Sequence, residues 1–284
     1  IWAAAASGGC IYVGGQFTTA TSYNGSQSAA RSNMAAFDLD TGELRPGFVA
    51  DTDGLVRDLA VSGGTLYIAG AFSTVNGVSR TNLAAVDLDS GEVTSWNPRP
   101  NQSVWKISIA GGKLFLGGNF NYVGGQFRNH AAAVSLSSGA VDSAFQPNFD
   151  LGVTAIAANS NGTRIYVGGP FTSVNGERPV NMDFEPCDFD PAYDGSVVTL
   201  DANGRQVDLR FASWRGTPLD IKVVGNGVYM ATSGNRTARW DATSGRRSEV
   251  VYCGGDGQAV ARLGNYPYGG FHESCENSSG ADYT

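Results

Sequence analysis

Short apolar runs alternate with glycine-rich turns along the whole chain, and no stretch shows the three-to-four-residue recurrence of an amphipathic helix. One apolar phrase returns four times: IYVGGQF at 11–17, LYIAGAF at 66–72, LFLGGNF at 114–120 and IYVGGPF at 165–171. Two degenerate copies, VYMATSG at 228–234 and YPYGGFH at 266–272, extend the series. Successive copies lie 55, 48, 51, 63 and 38 residues apart, and self-similarity at about this period marks a repeat architecture. The second unit shows its parts best: VRDLAVSGG, TLYIAGAF, TNLAAVDLDSG and EVTSWNP. Each has the length and the β-branched and aromatic content of a strand, so the pattern predicts four antiparallel strands per unit.

The turns between them have a physical reading. Ser62-Gly63-Gly64 and Ala110-Gly111-Gly112 supply the positive φ of a tight hairpin. In DLDTG and DLDSG an Asp side chain caps a turn closed by Gly42 or Gly91. These glycines and aspartates are read as structural.

A four-stranded unit of this length, repeated five times or more, buries its faces best by radial packing. The expected fold is therefore all-β, a β-propeller of four-stranded antiparallel blades, with five complete repeats plus half of a sixth. The repeats run about 1–54, 55–102, 103–151, 152–217, 218–256 and 257–284, in one domain over 1–284. Small residues such as Ala84-Ala85 and Ala131-Ala132-Ala133 suit close packing of blades, and Trp96, Phe145 and Phe211 would fill the wider outer wedge.

YVGGxF followed by VNGxxR, NLAAxD, TG and a closing aromatic resembles the bacterial β-propeller units known as delta-60 repeats, and similar units occur in fungal cortical polarity markers. The resemblance covers most of residues 1–175, weakens through 176–247, and returns at 254–275. It implies a propeller ectodomain attached to other surface modules and carries over no chemistry residue by residue. Because the sixth unit stops after two strands, the natural protein is expected to continue past Thr284, or another segment to close the ring.

Composition narrows the function. A net charge of -7, with few and scattered lysines, leaves no basic footprint for nucleic acid or an anionic membrane surface. No run reaches the length of a membrane-spanning helix, and any targeting signal would lie outside this stretch. Arginine far outnumbers lysine, which suits a bacterial source of high GC content.

If the first strand of each unit is innermost, the longer connections share one face, and function should favour them. They are 18–32, 73–80, 121–129 and the insertion 177–195, joined by Asp51, Asp53, Asn101, Asp150, Arg215 and Asp256. Arg31, Arg80, Arg128 and Arg178 recur there. They would form either a ring that reads carboxylates or sugar hydroxyls, or ties that hold each loop to its own carbonyls. Differences between repeats are the better clue. The insertion combines Phe184, Phe189 and Tyr193 with Asp183, Asp188, Asp190 and Asp194, aromatic faces beside acceptors that would grip a sugar or peptide. Calcium at Asp188, Asp190 and Asp194 is the competing use, against the missing spacing of an EF-hand; solvated loop charges are the plain one. No other cofactor is expected.

Cys253 and Cys275 fall in loops on the same face of the final unit and are expected to form a disulfide, placing the chain outside the cell or on its surface. Cys10 and Cys187 lie on opposite faces and should not pair.

Catalysis has little to stand on. His130 and His272 lie far apart, without HExxH or GxSxG context. His130 occupies a slot filled by Asn33 and Asn82 elsewhere, and His272 beside Glu273 is the one histidine worth mutating in search of activity. The DLDTG turn is similar to one in quinoprotein propellers, but adjacent cysteines and a quinone site are missing. The reading is a non-catalytic recognition module that binds glycan or protein through the loop face. A structural scaffold in a larger extracellular assembly is the alternative, and a carboxylate-based glycan-active enzyme the third, since paired acids need no motif.

Overall fold

The computed structural model describes residues 1–179, 195–207, 209, 216–233, 236–253, 259–263, 266–270, 275–277 and 282–283. Among the described residues every regular element is a strand, so none of them forms a helix long and apolar enough to cross a membrane. The chain divides into two compact units, Ile1–Arg128 with Ala133–Asp142, and Asn129–Ala132 with Ser143–Thr284.

The first unit opens with β1 (Ala3–Ser7) and β2 (Cys10–Gly14), then a small ribbon of β3 (Thr19–Thr21) and β4 (Ser28–Ala30), then β5 (Met34–Asp38). The pattern repeats as β6 (Leu55–Ser62), β7 (Thr65–Ala71), ribbon β8 (Thr74–Val75) and β9 (Val78–Ser79), and β10 (Leu83–Asp87). It returns as β11 (Val104–Ala110), β12 (Lys113–Gly118), ribbon β13 (Tyr122–Val123) and β14 (Gln126–Phe127), and β15 (Ala131–Ser135). Each ribbon leaves a three-stranded sheet behind it, ordered β1-β2-β5, β6-β7-β10 and β11-β12-β15.

Four strands per sheet were expected. In these units the fourth is reduced to a single bridge, Phe37↔Leu44, Val86↔Val93 or Val134↔Val141. The amides of Arg45, Thr94 and Asp142, next after the bridged residues, still donate to the Ala36, Ala85 and Ala133 carbonyls, and the chain then leaves the sheet in a turn at Pro46 or a bend at Ser95 and Ser143.

The Gly-Gly hairpins adopt the predicted left-handed backbone, with φ of 54° and 75° at Gly63 and Gly64. Asp38 Oδ1 accepts the amides of Asp40 and Thr41 and the Thr41 hydroxyl, which caps the DLDTG turn. Middle strand β7 is buried at Leu66–Gly70, a continuous run and not an alternation, because both of its faces are covered. Its neighbours explain the cover: β6 lies beside both β1 and β11, and Tyr12, Met34, Phe48, Val56, Leu66 and Ile68 share one core.

Two tyrosines are among the residues that link consecutive sheets in this unit. The Tyr12 hydroxyl donates to the Leu88 carbonyl at 2.8 Å, and the Tyr67 hydroxyl to that of Leu136 at 3.3 Å. Phe48 and Trp96 meet these tyrosines edge to face, at 5.1 and 5.2 Å between centroids. Burial is the main cause that pushes the Tyr12 phenol up to about 12.

The second unit holds β16 (Ala155–Ala158), β17 (Arg164–Gly169) and β18 (Ser196–Asp201) in one sheet. Then come β19 (Pro218–Val224), β20 (Gly227–Thr232), β21 (Arg236–Asp241), β22 (Arg247–Cys253), the pair β23 (Ala259–Leu263) and β24 (Tyr266–Gly270), β25 (Cys275–Asn277) and β26 (Asp282–Tyr283). Here the fourth strand is complete. The sheet runs β19-β20-β21-β22 and is continued by β25 and β26. Its core gathers Tyr166, Val197, Ile221, Val228, Met230 and Trp240.

Candidate functional site

In the first three repeats the connection between the second and third strands is a two-stranded ribbon. Val75-Asn76-Gly77-Val78 shows why: φ of 50° and 74° at the central pair is the primed turn whose twist matches its strands. Gly124-Gly125 and Asn175-Gly176 adopt the same conformation. The Asn76 side chain also clamps the preceding loop, accepting from the Asp51 amide and donating to the Val49 and Gly91 carbonyls. Asn175 does the same for Asn148 and Gly204.

A second clamp sits at the base of this connection in the second, third and fourth repeats. Asp53 Oδ1 accepts the amides of Ser73 and Thr74 at 2.7 and 2.9 Å. Asp150 Oδ1 accepts those of Thr172 and Ser173, and Asn101 Oδ1 those of Asn121 and Tyr122. These polar residues of the loop face are therefore committed to holding the ribbons upright. At Asp53 and Asp150 burial acts to raise the carboxyl pKa, but the hydrogen bonds outweigh it and hold both below the ordinary carboxylate range.

A lowered folded pKa contributes stability that is fully present above the ordinary Asp pKa near 4, and that is lost as pH falls through the folded value. Asn101 does the same work without a charge. Asp53→Asn should therefore lower the neutral-pH thermal midpoint and reduce its fall as pH drops below about 4. An acid profile identical to that of the parent protein would show that the clamp carries no linked proton.

The recurring arginines divide into two kinds. Arg31, Arg80 and Arg128 each follow the last residue of a ribbon and are tied to carbonyls on both sides. Nη1 donates to Ala30, Ser79 or Phe127, and Nη2 to Pro46, Thr94 or Asp142. Burial lowers the guanidinium pKa of Arg80 and Arg128.

Arg178 was read as the fourth member of this series, and the register corrects that. Val174 bridges Glu177 as Val75 pairs with Val78, so Arg178 matches Ser79, and buried Pro179 takes the arginine slot. A one-residue shift in a strand moves a side chain to the opposite face, and Arg178 is exposed.

The outward ribbon positions are where the repeats differ. They are Thr19 and Ala30 in the first, Thr74 and Ser79 in the second, and Tyr122 and Phe127 in the third. Tyr122 and Phe127 are 47% and 55% exposed, and their rings meet edge to face at 5.6 Å. Tyr23, in the turn of the first ribbon, and Val78 are exposed too. Sequence reading placed 121–129 on the loop face but passed over this pair. The available signal was Tyr and Phe in slots that the two preceding repeats fill with small residues.

Phe184, Asp188, Asp190, Tyr193 and Asp194 of the insertion lie outside the described residues, as do Cys187, Phe211, Arg215, Asp256 and His272. Among the described residues no group of three or more His, Cys, Asp or Glu is arranged to hold a metal ion. Buried His130 has φ of 68°, beside 69° at Asn33 and 61° at Asn82, so it fills the same left-handed slot. Cys253 and Cys275 were assigned to loops; they stand on strands β22 and β25 as directly opposed residues.

The family described as a domain of unknown function (DUF5122) beta-propeller matches residues 64–88, the span from the hairpin glycine through β7 and β10 to Leu88. No curated protein matches the chain. The resemblance is thus to a β-propeller-like repeat family, carried by one unit of an all-β chain.

Proposed function

We propose that the chain is a non-catalytic recognition module built on a β-propeller, five blades and part of a sixth, which binds glycan or protein through the face that carries the ribbons. The observation that supports this reading is the distribution of exposed apolar side chains. Four of the eight large ones among the described residues, Tyr23, Val78, Tyr122 and Phe127, stand on three small ribbons. Such a concentration on loops clamped from below suits a binding face, where exposed aromatic groups supply contact area on a rigid support. Of the recurring arginines, exposed Arg178 is the one best suited to meet a ligand.

A glycan array and an array of surface proteins, each probed with the chain and with a Tyr23→Ser, Val78→Ser, Tyr122→Thr, Phe127→Ser variant, test the reading. Saturable binding that falls at least tenfold in the variant is expected. Silence on both arrays would favour the scaffold alternative.

The opposed Cys253 and Cys275 support a secreted or surface location, because opposed residues of antiparallel strands approach within disulfide range. The bond should appear as a linked peptide in a non-reducing digest, and alkylation of both thiols without prior reduction would overturn it.

A further inference from the structure

We propose that the third ribbon carries a binding site for a neutral sugar ring, formed by Tyr122 and Phe127 with the side-chain amides of Gln102, Asn119 and Asn121. The inference rests on the recognition reading and gives it a ligand class and a place.

The aromatic pair comes first. Tyr122 and Phe127 are directly opposed on β13 and β14, and their ring planes meet at 77°. Two exposed rings at this angle make a corner with two apolar walls. The C–H face of a pyranose stacks on one wall while its edge meets the other, and burial of that face against a ring is favourable. The corner is held in place from beneath. Val123, the inward neighbour of Tyr122, is fully buried, and the Asn101 side chain accepts the Tyr122 amide at 3.0 Å.

The amides come second. Gln102 Nε2 reaches Asn121 Oδ1 at 3.5 Å, and Asn119 Nδ2 donates to Gln102 Oε1 at 3.3 Å. Both contacts are at the long end of hydrogen bonding, and Gln102 and Asn119 are exposed. An amide offers both donors and an acceptor, the pairing that sugar hydroxyls require, and such long contacts exchange at little cost. Asn121 precedes Tyr122 in the chain, which sets this cluster at the foot of the aromatic ribbon.

Position within the repeat shows that the combination is particular to this unit. The second repeat has Gly54, Ala71, Ser73, Thr74 and Ser79 where the third has Gln102, Asn119, Asn121, Tyr122 and Phe127. All five changes add either a ring or an amide. None of them adds a charge, and residues 100–104 and 114–127 contain no charged side chain at all. In a chain of net charge -7 this favours a neutral polyhydroxylated ligand over an ionic one.

The test is ligand-observed NMR and calorimetry with four neutral probes, cellohexaose, xylohexaose, mannohexaose and chitohexaose, and with a hyaluronan hexasaccharide as the acidic control. Binding to at least one neutral probe is expected, and hyaluronan should be the weaker ligand. Tyr122→Thr with Phe127→Ser copies the second ribbon, so folding is preserved; it should lower affinity at least tenfold, and Gln102→Gly about threefold, with unchanged thermal midpoints. Failure of every neutral probe to bind, or unchanged affinity in the double variant, would overturn the site. Binding that survives there but is lost in the four-residue variant of the arrays would leave the recognition reading standing elsewhere on the face. Silence in both experiments would remove the two together.

Discussion

Replacing Gly70 by alanine should destabilise the protein by about 3 kcal/mol, a fall in thermal midpoint of about 10 °C. Gly70 is the second glycine position of the repeated phrase. A Cβ built there would lie 2.1 Å from the Leu55 carbonyl oxygen, and one built on Gly54 would lie 2.1 Å from that of Ala71. The end of β7 and the start of β6 thus approach too closely for any side chain. The cause is the bulge in β6, where the register shifts between Val56 and Asp58. No flexible side chain stands in the way to yield; both obstacles are backbone. Gly118, 2.3 Å from the Ser103 carbonyl beside the equivalent bulge in β11, should respond alike. Gly47→Ala is the control, since it has open space and an ordinary φ, and it should be neutral or slightly stabilising. Urea melts of the three variants decide the matter; a cost at Gly70 below about 1 kcal/mol would mean that the bulge relaxes.

That glycine shows what a single sequence makes legible and what it hides. Its recurrence at Gly15, Gly70, Gly118 and Gly169 announced a constraint, and the turn glycines Gly63 and Gly64 could be assigned a positive φ directly. The close approach at Gly70 could not be read, because it depends on a bulge in another strand. The four-strand count followed from segment composition, yet composition cannot show where a ladder's hydrogen bonds stop. The third unit thus keeps one bridge, Val134↔Val141, where a full strand was expected.

The candidate site was legible to a different degree. The ribbon face was found from connection length, and the arginines were correctly suspected of tying their own loops. Arg178 was misaligned because spacing by eye treated VNGER and VNGVSR as equal, whereas the period of two along a strand makes one residue decisive. Attention went to the long insertion because length is conspicuous. Tyr122 and Phe127 were less so: their significance lies in which face of a two-residue strand they occupy, and only register shows that.

The other large effect is expected at Trp96, where the question is what joins one sheet to the next. Its ring is 6% exposed, its Nε1 donates to the Ser135 carbonyl at 2.9 Å, and it meets Tyr67 at 75°. Gly139, at φ 72°, lets the chain pass beneath the ring; a Cβ there would lie 3.3 Å from Nε1. Trp96→Ala removes the ring and leaves a cavity between two sheets that have too much backbone order to collapse into it. A loss of about 4 kcal/mol follows. Tyr67→Phe keeps the ring and removes only the 3.3 Å bond to Leu136, so it should cost about 1 kcal/mol. Because the two rings touch, Trp96→Ala combined with Tyr67→Ala, which removes the second ring, should lose less than the two alanine losses combined, and the shortfall measures their contact. The first repeat provides an internal comparison, since Phe48 beside Tyr12 has no N–H to donate. Phe48→Ala should therefore be less costly than Trp96→Ala by about the strength of one hydrogen bond, about 1 kcal/mol. Equal losses at the two sites would assign the joint to ring packing alone, and a loss at Trp96 below about 1 kcal/mol would show that the strands beneath hold the sheets together without it.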